Sequence, residues 1–238
     1  MKRVIVVLLS AICCISAKGQ DLYDQCSNEV DTIFYEADKI WYNNGVTYGY
    51  TPERQYKYAE YCIKASNIID KYLKKVTSTI DKVDLLWLQL RVLSPFLYNE
   101  DGPAYNGMQI SEFNQQVNKF TSIINQLSEY SNTILNKYER HLERAYIAQN
   151  LGYLYFYLKK YTESKEQFSI IVSTCSPLTS NTDYADEAKV LVQCGYYEFG
   201  HIAYKLGDVA TANYYYDKAK SIKGTFNDEN IIPYKDMQ

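Results

Sequence analysis

The sequence predicts an all-α fold, a stack of about four antiparallel helical hairpins. Three observations predict it. Apolar residues recur at three- and four-residue spacing in one segment after another, which is one face of a helix. The prolines Pro52, Pro95, Pro103, Pro177 and Pro233 fall at segment boundaries, and no strand-like alternation persists. The C-terminal half repeats itself at an offset of 48 residues.

The N-terminus comes first. Lys2 and Arg3 precede an apolar run from Val4 to Ile15, followed by the small residues Ser16, Ala17 and Gly19. That order is the pattern of a secretory signal peptide. The run is shorter than the roughly 20 apolar residues a spanning helix needs. Residues 1–19 are expected to be removed, with cleavage after Gly19 favoured over Ala17. The remainder, 20–238, is then one exported domain, periplasmic or secreted. Cys13 and Cys14 lack the leucine three residues earlier and the small preceding residue of a lipid-modified cysteine. They read as members of the apolar run, and a lipid anchor is the minor alternative. No second long apolar stretch follows, so no transmembrane segment is expected in the mature chain.

The whole chain carries 25 basic and 28 acidic residues. Losing Lys2, Arg3 and Lys18 leaves 22 basic residues, a mature charge of about −6. No basic run occurs, which argues against a nucleic-acid partner. Cys26, Cys62, Cys175 and Cys194 remain. An exported protein could pair them. The nearest pairings are out of register along the expected hairpins, by more than the ~7 Å between Cα atoms that a disulfide spans. Most read as small buried apolar residues.

Divergent hairpins are expected over 22–127. A first helix is predicted from Leu22 to Asn43. The loop through Thr51-Pro52 follows, with Thr51 as N-cap and Pro52 in the first turn of a second helix reaching Lys74. Leu86, Leu90, Leu93 and Leu97 mark one face of a third helix. Asn99 to Pro103 breaks it. Phe113, Val117, Phe120, Ile124 and Leu127 mark a fourth, weakening over Ser128–Asn132. Two more helix pairs follow, and an irregular tail starts at Gly224.

Within those last pairs lies the repeat. Leu151-Gly152 is followed by Tyr155, Tyr161, Ser164 and Phe168. Phe199-Gly200 is followed at the same spacings by Ala203, Val209, Ala212 and Tyr216, then Ala219. Tyr196 holds the first large position of the second copy, and Tyr204 to Asp208 forms its turn. These residues resemble the tetratricopeptide repeat family, with the match spanning 145–221. The resemblance implies a right-handed α-solenoid whose units must stack to bury their faces. It implies that Gly152 and Gly200 allow close helix approach, that Ser164 and Ala212 sit in tight spaces, and that Phe168 and Tyr216 fill the gap between hairpins. The departure is the period, which is about 34 residues in the family. The extra residues fall around 176–188, suggesting that a helix over Asp183–Leu206 is extended at its start.

Catalytic chemistry is hard to find. His141 and His201 lie on separate helices, and no phosphate loop, metal-binding His pair or nucleophile elbow occurs. The chain therefore reads as a non-enzyme without cofactor or metal. Glu139 and Glu143 could be named a carboxylate pair. The plainer reading puts Glu143 in a surface ion pair with Arg140. Asn227 to Asn230 lacks the glycine and final glutamate of a calcium loop and reads as a solvated turn.

The resemblance places ligands on the concave side, along the first helices of successive hairpins. Its inward slots fall on Tyr146, Gln149, Tyr153, Phe156 and Tyr157, and on Cys194, Tyr197, His201, Tyr204 and Lys205. Such an aromatic face with polar tips suits peptide or sugar. Packing against a neighbouring helix is the competing role for most of these tyrosines, and the loop Val46–Tyr50 is a second aromatic candidate. The expected function is an exported scaffold for a protein or peptide partner. A glycan-binding protein of the cell envelope is the alternative.

Overall fold

The structure, a computed structural model, describes residues 17–43, 46–99, 102–105, 107–134, 136–181 and 183–222. The apolar run 4–15 with Cys13 and Cys14, and the tail with Asn227–Asn230 and Pro233, lie outside the described residues.

What the periodicity specifies is a chain of helices: α1 (Ala17–Asp38), α2 (Pro52–Leu73), α3 (Thr79–Leu97), the single turn α4 (Gly102–Tyr105), α5 (Ile110–Ile134), α6 (Lys137–Tyr157), α7 (Tyr161–Cys175), α8 (Ala185–Lys205) and α9 (Val209–Ser221). Each long helix packs against the next, and α1 touches α3 as α6 touches α8. This sequential contact pattern is that of a helical bundle or solenoid. No described helix is long and apolar enough to cross a membrane.

Local chemistry explains the boundaries. The Thr51 hydroxyl accepts from Arg54 N–H at 3.2 Å, with Pro52 at the first helical position. Asn136 caps α6 in a reciprocal box with Glu139. The first helix ends at Asp38, not at Asn43. Ile40 and Trp41 bond back three residues, and Tyr42–Asn43 then pairs antiparallel with Val46–Thr47. The Val46–Tyr50 loop is exposed and is held from α2, where Arg54 donates to Gly49 O and its guanidinium lies 4.7 Å from the Tyr48 ring centroid.

Two further boundaries differ from expectation. Pro95 lies inside α3, not at its edge. Pro95 has no N–H for the Arg91 carbonyl, and the Ser94 hydroxyl donates to that oxygen at 3.3 Å. Helix α5 runs on through Ser128–Asn132 to Ile134. Its polar side chains turn inward on their own helix: Ser128 donates to Ile124 O, and Ser131 and Asn132 donate to Ser128 O.

The apolar faces close two main cores. One joins α1 to α5 around Ile69, Leu85, Leu86, Leu93, Phe96 and Phe120. The other joins α6 to α8 around Phe168, Ile171 and Leu191. Helix α6 is the seam between them. Its Ile147 and Leu154 enter the first core, while Ala145, Ala148 and Phe156 enter the second. A buried polar bridge sets the register in the first half. Gln89 of α3 donates to Ser66 O, Ser66 Oγ and Asp70 Oδ1 of α2, and Asp70 also meets Lys119 of α5 at 2.7 Å.

The repeat recurs in the helix starts and turns. Helices α6 and α8 begin and end 48 residues apart, and α7 and α9 begin 48 apart. Their turns match as well. Lys159 N–H bonds to Phe156 O and Lys160 N–H to Tyr155 O, as Gly207 N–H bonds to Tyr204 O and Asp208 N–H to Ala203 O. This closure needs a left-handed residue at its centre, and Lys159 (φ 61°) and Gly207 (φ 81°) supply it. Both first helices have 21 residues. The extra length is therefore shared by the two copies and is not an extension peculiar to α8, which starts at Ala185. A short 3-10 turn, Ser176–Leu178, opens the connection before it.

Candidate functional site

The sequence-derived face lies where α6 meets α8. Gly152 and Gly200 make the geometry of each hairpin possible. A Cβ on Gly152 would sit 2.9 Å from the Phe168 ring, and one on Gly200 would collide with the Tyr216 ring. Phe168 and Tyr216 thus seat on the glycines of their own hairpins, and Phe168 also belongs to the core shared with α8. The seats exist because a missing Cβ opens a ring-sized slot on the partner helix. Ser164, fully buried, donates to Gly152 O at 2.8 Å, and Ala212 takes the same place in α9. Leu151 and Tyr155 are half-buried on α6, while Phe199, Ala203 and Ala219 are buried in the second hairpin.

With the helices set, most of the expected slots meet one another. Tyr146 OH donates to Glu187 Oε1 at 2.5 Å, and Gln149 Nε2 donates to Cys194 Sγ at 3.1 Å. Tyr153 OH donates to Glu198 Oε1 at 3.0 Å and lies 3.5 Å from Cys194 Sγ. The other Glu198 oxygen is 2.9 Å from His201 Nδ1. Phe156 is buried, 6.3 Å from the His201 ring centroid, and Tyr197 meets His201 edge-on at 4.4 Å. Tyr157, Tyr204 and Lys205 are half-buried at the C-terminal ends of their helices. Tyr153 and His201 occupy one repeat slot, yet they connect through Glu198.

Three contributors were not legible. Tyr98, the residue after α3, stacks on Tyr157 at 5.7 Å and also meets Tyr153, while its hydroxyl donates to Asn150 O at 2.9 Å. Nothing in its spacing marks it, because it belongs to a distant hairpin. Glu187 and Glu198 are acids facing an aromatic helix, and only the α6–α8 crossing reveals their partners.

Desolvation keeps the thiol and the Tyr153 phenol of this network protonated. Burial pushes the Cys194 thiol up to about 12, so it is not a thiolate nucleophile at neutral pH. Burial also holds the Tyr153 phenol well above its usual range. Cys26, Cys62 and Cys175 are buried free thiols, each pushed up to about 12 by desolvation.

The ion pair expected between Arg140 and Glu143 does not form. Glu143 instead accepts the Trp87 indole N–H at 2.7 Å, across the α3–α6 interface. Burial pushes its carboxyl up to about 7, against the favourable Trp87 bond, and Asp84 adds repulsion. Asp84 is itself pushed up to about 6, by burial and then by Asp81. Its Oδ2 is buried and accepts no hydrogen bond among the described residues. The pairing changed because Trp87 offers a donor from a helix 56 residues away in sequence.

Comparison with family models, with curated proteins and with solved structures yields no significant match.

Proposed function

We propose that the chain is an exported scaffold related to tetratricopeptide repeats, a right-handed α-solenoid that binds a protein or peptide along α6 and α8. The observation that carries this reading is the shared register of the two hairpins. Helix starts, turn closure and the glycine–aromatic pairs all recur at 48 residues. Such repetition is how stacked units build an extended binding side. The half-buried rings of Tyr157 and Tyr204 at the helix ends supply aromatic contact area with polar tips.

The test is affinity capture from an exported-protein fraction. Tyr153 and His201 are poor choices for substitution, since the network around Glu198 would break with them. Tyr157→Phe combined with Tyr204→Phe is better, because it removes the polar tips and keeps the rings, including the Tyr157 stack on Tyr98. Recovery of one specific protein by the wild type, lost in a double variant of unchanged melting temperature, supports the proposal. Retention of the chain by a polysaccharide column, with no protein recovered, overturns it in favour of glycan binding.

A further inference from the structure

The N-terminal half of α6 presents an unusual charge pattern. Lys137, Arg140, His141 and Arg144 stand at i, i+3, i+4 and i+7, which is one face of the helix. Three permanent cations share it on a chain whose net charge is −3. Like charges at this spacing destabilise a helix by a few tenths of a kcal/mol per pair. An ordinary solvated face relieves that repulsion with interspersed acids. Here both nearby acids are turned away. Glu139 reaches back to the Asn136 backbone N–H at 3.1 Å, and Glu143 is bound to Trp87. Among the described residues no ion pair joins Lys137, Arg140, His141 or Arg144 to a carboxylate.

These side chains also border a concavity. It is a cleft of about 460 Å³ between the end of α5 and the start of α6, with Ser128, Ser131 and Asn132 opposite and Ile147 below. No acid lines it. The α5 wall is uncharged, being serine and asparagine whose donors bond the helix's own carbonyls. The volume falls in the range of small-ligand sites, roughly 300–1,000 Å³. Arginine forks match carboxylate and phosphate oxygens in pairs.

We infer that the α5–α6 cleft binds a group bearing several oxyanions, held by Arg140 and Arg144 with Lys137 at the rim. Two sources share this chemistry: a free small polyanion, or clustered acidic side chains of a protein segment. The site is separate from the α6–α8 face, and its failure leaves that proposal standing.

Calorimetric titration of the full chain at low ionic strength tests it, using inorganic pyrophosphate and, separately, a hexaglutamate peptide. Saturable one-site binding of either probe is expected. Arg140→Gln with Arg144→Gln should weaken it tenfold or more, while Lys64→Gln with Lys71→Gln on α2 leaves it unchanged. Pyrophosphate binding identifies the small anion, and binding of the peptide alone identifies an acidic segment. The inference is overturned if neither probe saturates, or if the α2 variant weakens binding as much as the α6 variant.

Discussion

Gly152 and Phe168 form an interlocked pair, with the ring seated where a β-carbon would lie 2.9 Å away. In an open helix, Gly→Ala would stabilise by about 0.5–1 kcal/mol. Here the ring cannot retreat, since Phe168 is fully buried and meets Tyr153 edge-on at 5.4 Å. Overpacking costs about 1–3 kcal/mol and outweighs the propensity gain. Gly152→Ala should therefore lower the urea midpoint, and Gly200→Ala should do the same against Tyr216. Combining Gly152→Ala with Phe168→Leu should recover part of the loss. A stabilised single variant would contradict the close-packing account.

The left-handed turn gives a second prediction. Lys159 holds φ 61° where the other copy has Gly207. A non-glycine residue in that region is strained by roughly 1–2 kcal/mol. Part of this is offset by the greater chain entropy of glycine when unfolded. Lys159→Gly should stabilise by up to about 1 kcal/mol, and Gly207→Ala should destabilise by a similar amount. Thermal melts of the two variants should move in opposite directions.

The carboxyls at the α3–α6 interface set a pH dependence. Glu143 and Asp84 hold their protons more tightly folded than unfolded, at about 7 and about 6. Between about pH 4 and 7 the native state therefore binds more protons, and stability falls as pH rises. With Glu143 partly exposed, its share is on the order of 2 kcal/mol. Glu143→Gln keeps an acceptor for Trp87 and removes the charge. It should stabilise the protein at pH 8, change little at pH 4, and flatten the profile between. An unchanged slope in denaturant titrations across that range would disprove the assignment.

The cysteines give a fourth. Cys26, Cys62 and Cys175 are fully buried, and their thiols are pushed up to about 12. Both burial and the scarcity of thiolate slow attack on a disulfide reagent. At pH 8 these three should stay unreactive in the native protein and react rapidly in denaturant. Reducing agent should leave the melting temperature unchanged. Fast native labelling at Cys175 would refute this.

Much of the fold was legible because its signals are local. Thr51-Pro52 marks a helix start by chemistry carried within four residues. The spacing of Gly152 to Ser164 and Phe168 repeats at Gly200, Ala212 and Tyr216, and the structure seats each ring on its glycine. At two places local rules compete. Pro95 and the polar stretch Ser128–Asn132 resemble breaks, yet side-chain bonds to the helix's own carbonyls carry both helices through. Spacing marks the aromatic residues of the α6–α8 face as a set without giving their roles. Spacing says which residues share a face, and the crossing of a second helix says what that face meets.

By itself the sequence determined the helical class, the order of hairpins and the register of the repeat, because 3.6-residue periodicity, caps and glycine spacing are written along the chain. Only the tertiary structure decided which partners the polar groups take. It joined Tyr153 to Glu198, brought Tyr98 beneath Tyr157, and turned Glu143 from Arg140 to Trp87. The physical reason is competition among donors. A carboxylate exchanges an exposed, weak ion pair for a charge–dipole hydrogen bond at a buried interface, and that donor exists only once α3 lies against α6. The same exchange leaves Arg140 and Arg144 facing an open cleft.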